Sequence, residues 1–192
     1  MSSGKSVGRG LHATAVVFGE SGVAILGASG SGKSALALAL LARARSSGRF
    51  GALIGDDRVW VRAADGRLIA SGATHTAGLI ERRAAGVQSA PSEPAAVIRL
   101  VVELSGPNSS WPRWPREPND YALEEISVPR LALNSAASAA DNAISVEERL
   151  ELMVFDPTSR RGFSLEQSAA VHKNKRLVSR TASTMSEPGA DD

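Results

Sequence analysis

Val23-Ala24-Ile25-Leu26-Gly27-Ala28-Ser29-Gly30-Ser31-Gly32-Lys33-Ser34-Ala35-Leu36-Ala37-Leu38 decides the fold of this 192-residue chain. It starts as a short apolar run, crosses a glycine-rich turn and continues into residues of high helix propensity. From Gly27 to Ser34 the pattern G-x-x-x-x-G-K-[ST] is met in full. Glycines at these places allow backbone angles that turn successive N–H groups inward, forming a nest for an anion. The positive end of the following helix adds a partial charge at the same spot. Lys33 can reach β- and γ-phosphates, and the Ser34 hydroxyl can take a place on Mg²⁺. A chance glycine-rich turn is the alternative. The strand before the loop and the helix after it favour a phosphate-binding P-loop over Gly27, Ala28, Ser29, Gly30, Ser31, Gly32, Lys33 and Ser34.

Upstream, Ala13 to Phe18 reads as a strand, and Gly19-Glu20-Ser21-Gly22 as a turn into the strand Val23 to Leu26. The second arm of this hairpin feeds the glycine loop. Downstream, a helix is expected from Lys33 to Arg45, apolar on all sides and packed inside the domain, ending at Ser46-Ser47-Gly48. Ala52-Leu53-Ile54 is a short buried strand that runs into Asp56 and Asp57, the first of them 23 positions beyond Lys33. That gap holds one helix and a tight return, a strand-helix-strand unit. A P-loop needs a carboxylate at the end of a neighbouring strand to hold Mg²⁺ directly or through water. Two adjacent acids offer two roles, one on metal and one taking a proton from an attacking hydroxyl. The competing reading is a solvated pair that merely starts a turn.

Further along, Val59 to Val61 and Arg67 to Ala70 flank a tight turn at Ala64-Asp65-Gly66, and Ala77 to Ile80 lead into Glu81-Arg82-Arg83. Ala96 to Leu104 and Ser127 to Leu133 read as strands, and Ser135 to Phe155 as mostly helix. Between them, Pro107, Pro112, Pro115 and Pro118 preclude regular structure, so Trp111 and Trp114 are expected to anchor a long loop. The fold class is therefore α/β, a P-loop-containing central β-sheet with flanking helices. The expected organisation is a flexible N-terminus over 1–10, a P-loop domain over 11–155 and a polar, largely disordered tail over 156–192.

Composition narrows the function classes. An apolar content of 43% suits a globular domain with a real core. A net charge of +2 demands no nucleic-acid partner, and no run approaches the roughly 20 apolar residues of a membrane helix. Cysteine is absent, which removes disulfide and thiolate chemistry, and the first residues lack the apolar core of a secretory signal. The expectation is a cytoplasmic protein.

His12, the hairpin, the loop Gly27 to Ser34 and Gly55-Asp56-Asp57-Arg58-Val59 together resemble the catalytic domain of HPr kinase/phosphorylase, in its short bacterial form without the N-terminal domain. Ala77-Gly78-Leu79-Ile80-Glu81-Arg82-Arg83, Arg116-Glu117-Pro118 and Val128-Pro129-Arg130-Leu131-Ala132-Leu133 extend the similarity, which runs from about His12 to Leu150. The resemblance implies ATP and Mg²⁺ as cofactors, phosphorylation of a serine on HPr or an HPr-like phosphocarrier, and a hexameric homo-oligomer. It also implies site roles. Lys33 and Ser34 would hold phosphate and metal, and Asp56 would be the general base. Asp57 and Glu81 would assist with metal, His12 would bias proton transfer, and Arg83 would belong to a substrate and phosphate loop. His75 is left structural. The chain departs from the family at Ala13, Ala35 and Ala84, where glycine, an acid and glycine are usual. The family's Pro-Gly-Arg landmark is not recognisable, so kinase activity is expected over phosphorylase activity. A nucleotide-binding regulatory module and a small-metabolite kinase stay open as alternatives.

Overall fold

The structure, a computed structural model, describes residues 8–106 and 120–155. The expected tryptophan-proline loop with Arg116-Glu117-Pro118, the polar tail and most of the N-terminal segment lie outside the described residues. The chain divides into two compact units, Met1–Glu151 and Leu152–Asp192. The fold and the site belong to the first, and the division falls four residues before the expected boundary at Phe155.

Ten strands and two α-helices are described: β1 (Arg9–Phe18), β2 (Ser21–Gly27), α1 (Lys33–Ser46), β3 (Gly51–Gly55), β4 (Arg58–Ala64), β5 (Arg67–Ser71), β6 (Leu79–Arg82), β7 (Gly86–Ser89), β8 (Ala95–Ser105), β9 (Asp120–Leu123), β10 (Ile126–Asn134) and α2 (Ala139–Phe155). β1 begins at Arg9, so Arg9 and Gly10, read from sequence as part of a flexible N-terminus, are strand. They pair with Val61 and Trp60 of β4. Polar and glycine residues carry no strand signal of their own; the backbone ladder holds them.

β1 and β8 organise the sheet by each serving two neighbourhoods. The second half of β1 pairs antiparallel with β2 and with β3, and β8 runs parallel to β2 and to β10. This makes a layer in the order β3-β1-β2-β8-β10, to which β9 adds an antiparallel edge. The first half of β1 pairs with β4, β4 with β5, and β5 with the start of β8, all antiparallel. The sheet so curls round an apolar interior built from Ala13, Ala15, Val17, Ile54, Val59, Val61, Leu68 and Val101. Alternate residues of β1 point the other way, toward α1, which packs on β1, β2 and β3.

The expected strand-helix-strand unit is present as β2-α1-β3, but its two strands are not neighbours, because β1 lies between them. α1 buries Leu36, Ala37, Leu40, Leu41 and Ala44 and leaves Ala35 and Ala42 exposed. The helix is thus packed on one side only. A face made of alanine reads as apolar in sequence yet tolerates water. Glu147 of α2, 8% exposed, accepts hydrogen bonds from Arg43 of α1 and an ion pair from Arg49, whose other nitrogen donates to Glu151 at 2.6 Å. That Glu151 hydrogen bond, with the Glu147 and Glu151 charges behind it, holds the Arg49 guanidinium above its ordinary pKa. This clamp fixes α2 to the end of α1.

Three short strands went unread. β6 and β7 form a separate two-stranded hairpin, with Leu79 opposite Ser89 and Glu81 opposite Val87. β9 pairs with the start of β10. Each of these three strands is only four residues long, too short for a clear alternation of apolar and polar residues.

Candidate functional site

The glycine loop leaves β2 at Gly27 and enters α1 at Lys33. Gly27, Gly30 and Gly32 all have positive φ, at 150°, 77° and 96°. A methyl on Gly27 would stand 2.6 Å from Ser31 Oγ and 2.8 Å from the Leu104 carbonyl oxygen, so β8 leaves no room for a side chain there. Gly32 caps α1 without a side-chain hydrogen bond, and the first turn holds no acidic residue. The N–H groups and the positive end of the helix dipole therefore meet no protein carboxylate in that turn. Arg43 and Arg45 sit in the last turn, on the dipole's favourable side.

Lys33 is 7% exposed, an unusual state for an ammonium. Its Nζ donates to the carbonyl oxygens of Gly27 at 3.1 Å and Ala28 at 3.0 Å, and lies 3.1 Å from His12 Nε2. An ammonium only donates, so Nε2 is the acceptor and His12 carries its proton on Nδ1. That nitrogen faces Asp57, 3.1 Å from the carbonyl oxygen and 3.0 Å from Oδ1. The same ring thus joins the lysine of the glycine loop to the second acid of the pair.

Asp56 and Asp57 follow β3 in a tight turn closed by Arg58 N–H to the Asp56 carbonyl, 2.8 Å. Asp57 sits at φ 65°, a conformation that Asp tolerates better than most residues. The turn sends the two side chains to different partners. Asp56 accepts from Ser34 Oγ at 3.0 and 3.1 Å, from Thr14 Oγ1 at 2.6 Å and from the Glu81 backbone N–H at 3.1 Å. Asp57 keeps its side chain 83% exposed beside His12.

His12, Lys33, Ser34, Asp56 and Asp57 are thus brought together. Arg83 reaches the loop as well, since a methyl on Gly30 would lie 3.5 Å from its Nη2. Glu81 contributes a backbone N–H to Asp56, and its side chain is exposed. Among the described residues no group of three or more His, Cys, Asp or Glu could hold a metal ion. A cage of three such side chains is therefore not built among the described residues. Mg²⁺ does not need one: it keeps several waters and takes one or two carboxylates beside phosphate oxygens. Ser34 Oγ and the Asp56 carboxylate, within hydrogen-bond distance of each other at the mouth of the loop, fit that donor set. The acid beside Ser34 is Asp56, and the open, histidine-linked acid is Asp57.

Sequence reading missed Thr14. It stands in an otherwise apolar run and shares a strand face with His12, two positions away. One polar residue in such a run, at that spacing from the histidine, is the signal that could have found it. His75 lies in a short 3-10 turn over Thr74–Thr76, exposed to solvent.

This architecture, a mixed α/β sheet with a glycine loop entering its first helix, defines the class: it matches the HPr kinase fold. In particular, the chain is similar to the HPr(Ser) kinase/phosphatase from Coxiella burnetii, with a TM-score of 0.61 and 23% identity over 75% of this chain and 98% of that one. At that identity the likeness establishes a common fold. No protein-family profile and no curated protein matches the sequence. Among the described residues, no helix is long and apolar enough to cross a membrane.

Proposed function

We propose that the chain is an ATP-dependent serine protein kinase acting on HPr or an HPr-like phosphocarrier, in a bacterial regulatory phosphorelay within the cytoplasm. One observation carries the reading: Lys33 Nζ sits on the carbonyls of the glycine loop and on His12, while the adjoining Ser34 reaches Asp56. The similar protein from Coxiella burnetii bears the name of a kinase/phosphatase of HPr serine, and the resemblance in motifs points the same way.

The contacts support the following roles. The glycine-loop N–H groups and the start of α1 receive the phosphate tail. Lys33 exchanges its two carbonyl partners for phosphate oxygens, which are stronger acceptors. Ser34 and Asp56 would hold Mg²⁺, which would offset the negative charge of the phosphate tail. Asp57, exposed and oriented by His12, takes the proton of the acceptor serine as its oxygen bonds to the γ-phosphorus and ADP leaves. Arg83, beside Gly30, adds positive charge above the transferring group. Asp56 is occupied by three donors while Asp57 stands open to solvent beside His12, which is why Asp57 rather than Asp56 receives this task.

A second reading, nucleotide-dependent regulation without transfer, is favoured by Ala35, which stands exposed in a first turn that lacks any acid. One assay separates them. Labelled ATP, Mg²⁺ and HPr are incubated with wild type, Lys33→Ala, Asp56→Asn and Asp57→Asn. The kinase reading expects label on a serine of HPr, lost with Lys33→Ala and reduced by about 10² or more in both aspartate variants. Asp56→Asn should also weaken Mg²⁺ dependence, whereas Asp57→Asn should not. Tight nucleotide binding with no transfer to HPr would replace the kinase with the regulator.

A further inference from the structure

We propose that Thr14 is the positioning residue of Asp56, an inference that rests on Asp56 being the metal-side acid of an ATP site. From Ala13 to Phe18 β1 is buried throughout, and Thr14 is its one polar side chain, with no exposed surface. A hydroxyl buried in apolar surroundings destabilises the fold unless it is paired. This one donates to Asp56 Oδ1 at 2.6 Å, the shortest of the contacts to that carboxylate.

The arrangement divides the carboxylate between fixed and exchangeable partners. Ser34 touches both oxygens, Thr14 only Oδ1, and the Glu81 N–H only Oδ2. When Ser34 turns its oxygen to a metal, the remaining donors are one on each oxygen, and two such donors define the carboxylate plane. They differ in rigidity. Glu81 lies on the β6–β7 hairpin, which is largely exposed apart from Ile80, whereas Thr14 is held in a strand paired with β2, opposite Ile25. β1 therefore acts as a rail on which His12 orients Asp57 and Thr14, two residues on along the same face, orients Asp56. Without the Thr14 hydroxyl, Asp56 keeps its charge and its neighbours but loses its rigid tether, so its lone pair no longer points consistently to the Ser34 side.

Valine keeps the β-branched shape without the donor, and serine keeps the donor. The full chain is prepared as wild type, Thr14→Val and Thr14→Ser, and ATP binding is titrated calorimetrically with and without Mg²⁺, beside transfer to HPr. For Thr14→Val, the Mg²⁺ concentration at half effect rises about 10-fold or more, the scale of one hydrogen bond to a charged group. Metal-free ATP binding stays within about 2-fold, and Thr14→Ser restores the Mg²⁺ response. A Thr14→Val protein with unchanged Mg²⁺ response overturns the proposal, as does one that loses metal-free binding equally, which marks a merely structural residue. Should valine prevent folding, Thr14→Cys, whose thiol is a weak donor, takes its place under the same readings. If wild type binds no ATP, the proposed function fails, and the crystal structure of Thr14→Val decides this inference separately. An Asp56 carboxylate turned away from Ser34 upholds it, and one in its original place overturns it.

Discussion

Gly72 offers the sharpest test of how the sheet holds the acid pair. It follows β5 directly, and a methyl built on it would lie 1.9 Å from the carbonyl oxygen of Ile54, 3.0 Å from the Ile54 carbonyl carbon and 3.4 Å from Gly55 Cα. Carbon and oxygen approach no closer than about 3.3 Å even in favourable contacts, so one backbone must retreat by about 1.4 Å. Nothing flexible can absorb that, because all three atoms are main chain and Ile54 is 2% exposed within a strand paired to β1. Overpacking costs about 1–3 kcal/mol, and a backbone clash belongs at the upper end. For a chain of this size, about 3 kcal/mol lowers Tm by about 6–12 °C. The displaced segment is the one that delivers Asp56, so Mg²⁺-dependent ATP binding in Gly72→Ala should fall more than metal-free binding. Gly10→Ala is the control, with only Trp60 Nε1 at 3.9 Å near the added methyl, and should leave Tm within about 2 °C. Thermal melts by circular dichroism read the stability, and calorimetry reads the binding. A Gly72→Ala protein that melts with the control would refute the packing argument.

Gly27→Ala meets both Ser31 Oγ and the Leu104 carbonyl under 3 Å, at a φ of 150° that L side chains rarely adopt. With strain of about 1–2 kcal/mol placed on the loop itself, ATP affinity should drop about 10-fold or more, measured by the same calorimetry. Glu147→Ala removes the acceptor shared by Arg43 and Arg49. Both arginines are 39–40% exposed and can be hydrated, so the loss is about 2 kcal/mol rather than that of a fully buried pair, seen as a lower urea midpoint with m unchanged.

The legible part of this molecule is the part governed by local rules. Glycine spacing, the Lys-Ser that ends the loop and the alanine-leucine helix are contiguous in the chain, so Gly27 to Arg45 could be read directly. The hairpin before it and the acids after β3 were legible for the same reason. Contacts between distant segments were not. The ring of His12 lies between Lys33, 21 positions away, and Asp57, 45 positions away, and only tertiary structure pairs them. Which acid meets Ser34 depends on a three-residue turn at φ 65°, a detail that Asp-Asp in sequence leaves open. Thr14 was hidden by its company, since threonine is an ordinary strand residue and its partner is 42 positions away. Ala84 shows a similar limit. It holds φ 66°, the left-handed conformation that favours glycine, so the hairpin keeps a backbone shape its sequence does not advertise.

A crystal structure of the chain with Mg²⁺ and a non-hydrolysable ATP analogue tests the account most directly. The predicted result has the β- and γ-phosphates in the loop from Gly27 to Ser34, Lys33 Nζ moved from the Gly27 and Ala28 carbonyls onto phosphate, and the metal between Ser34 and Asp56. Phosphates bound elsewhere, or a metal held by Asp57 with Asp56 turned aside, would contradict it.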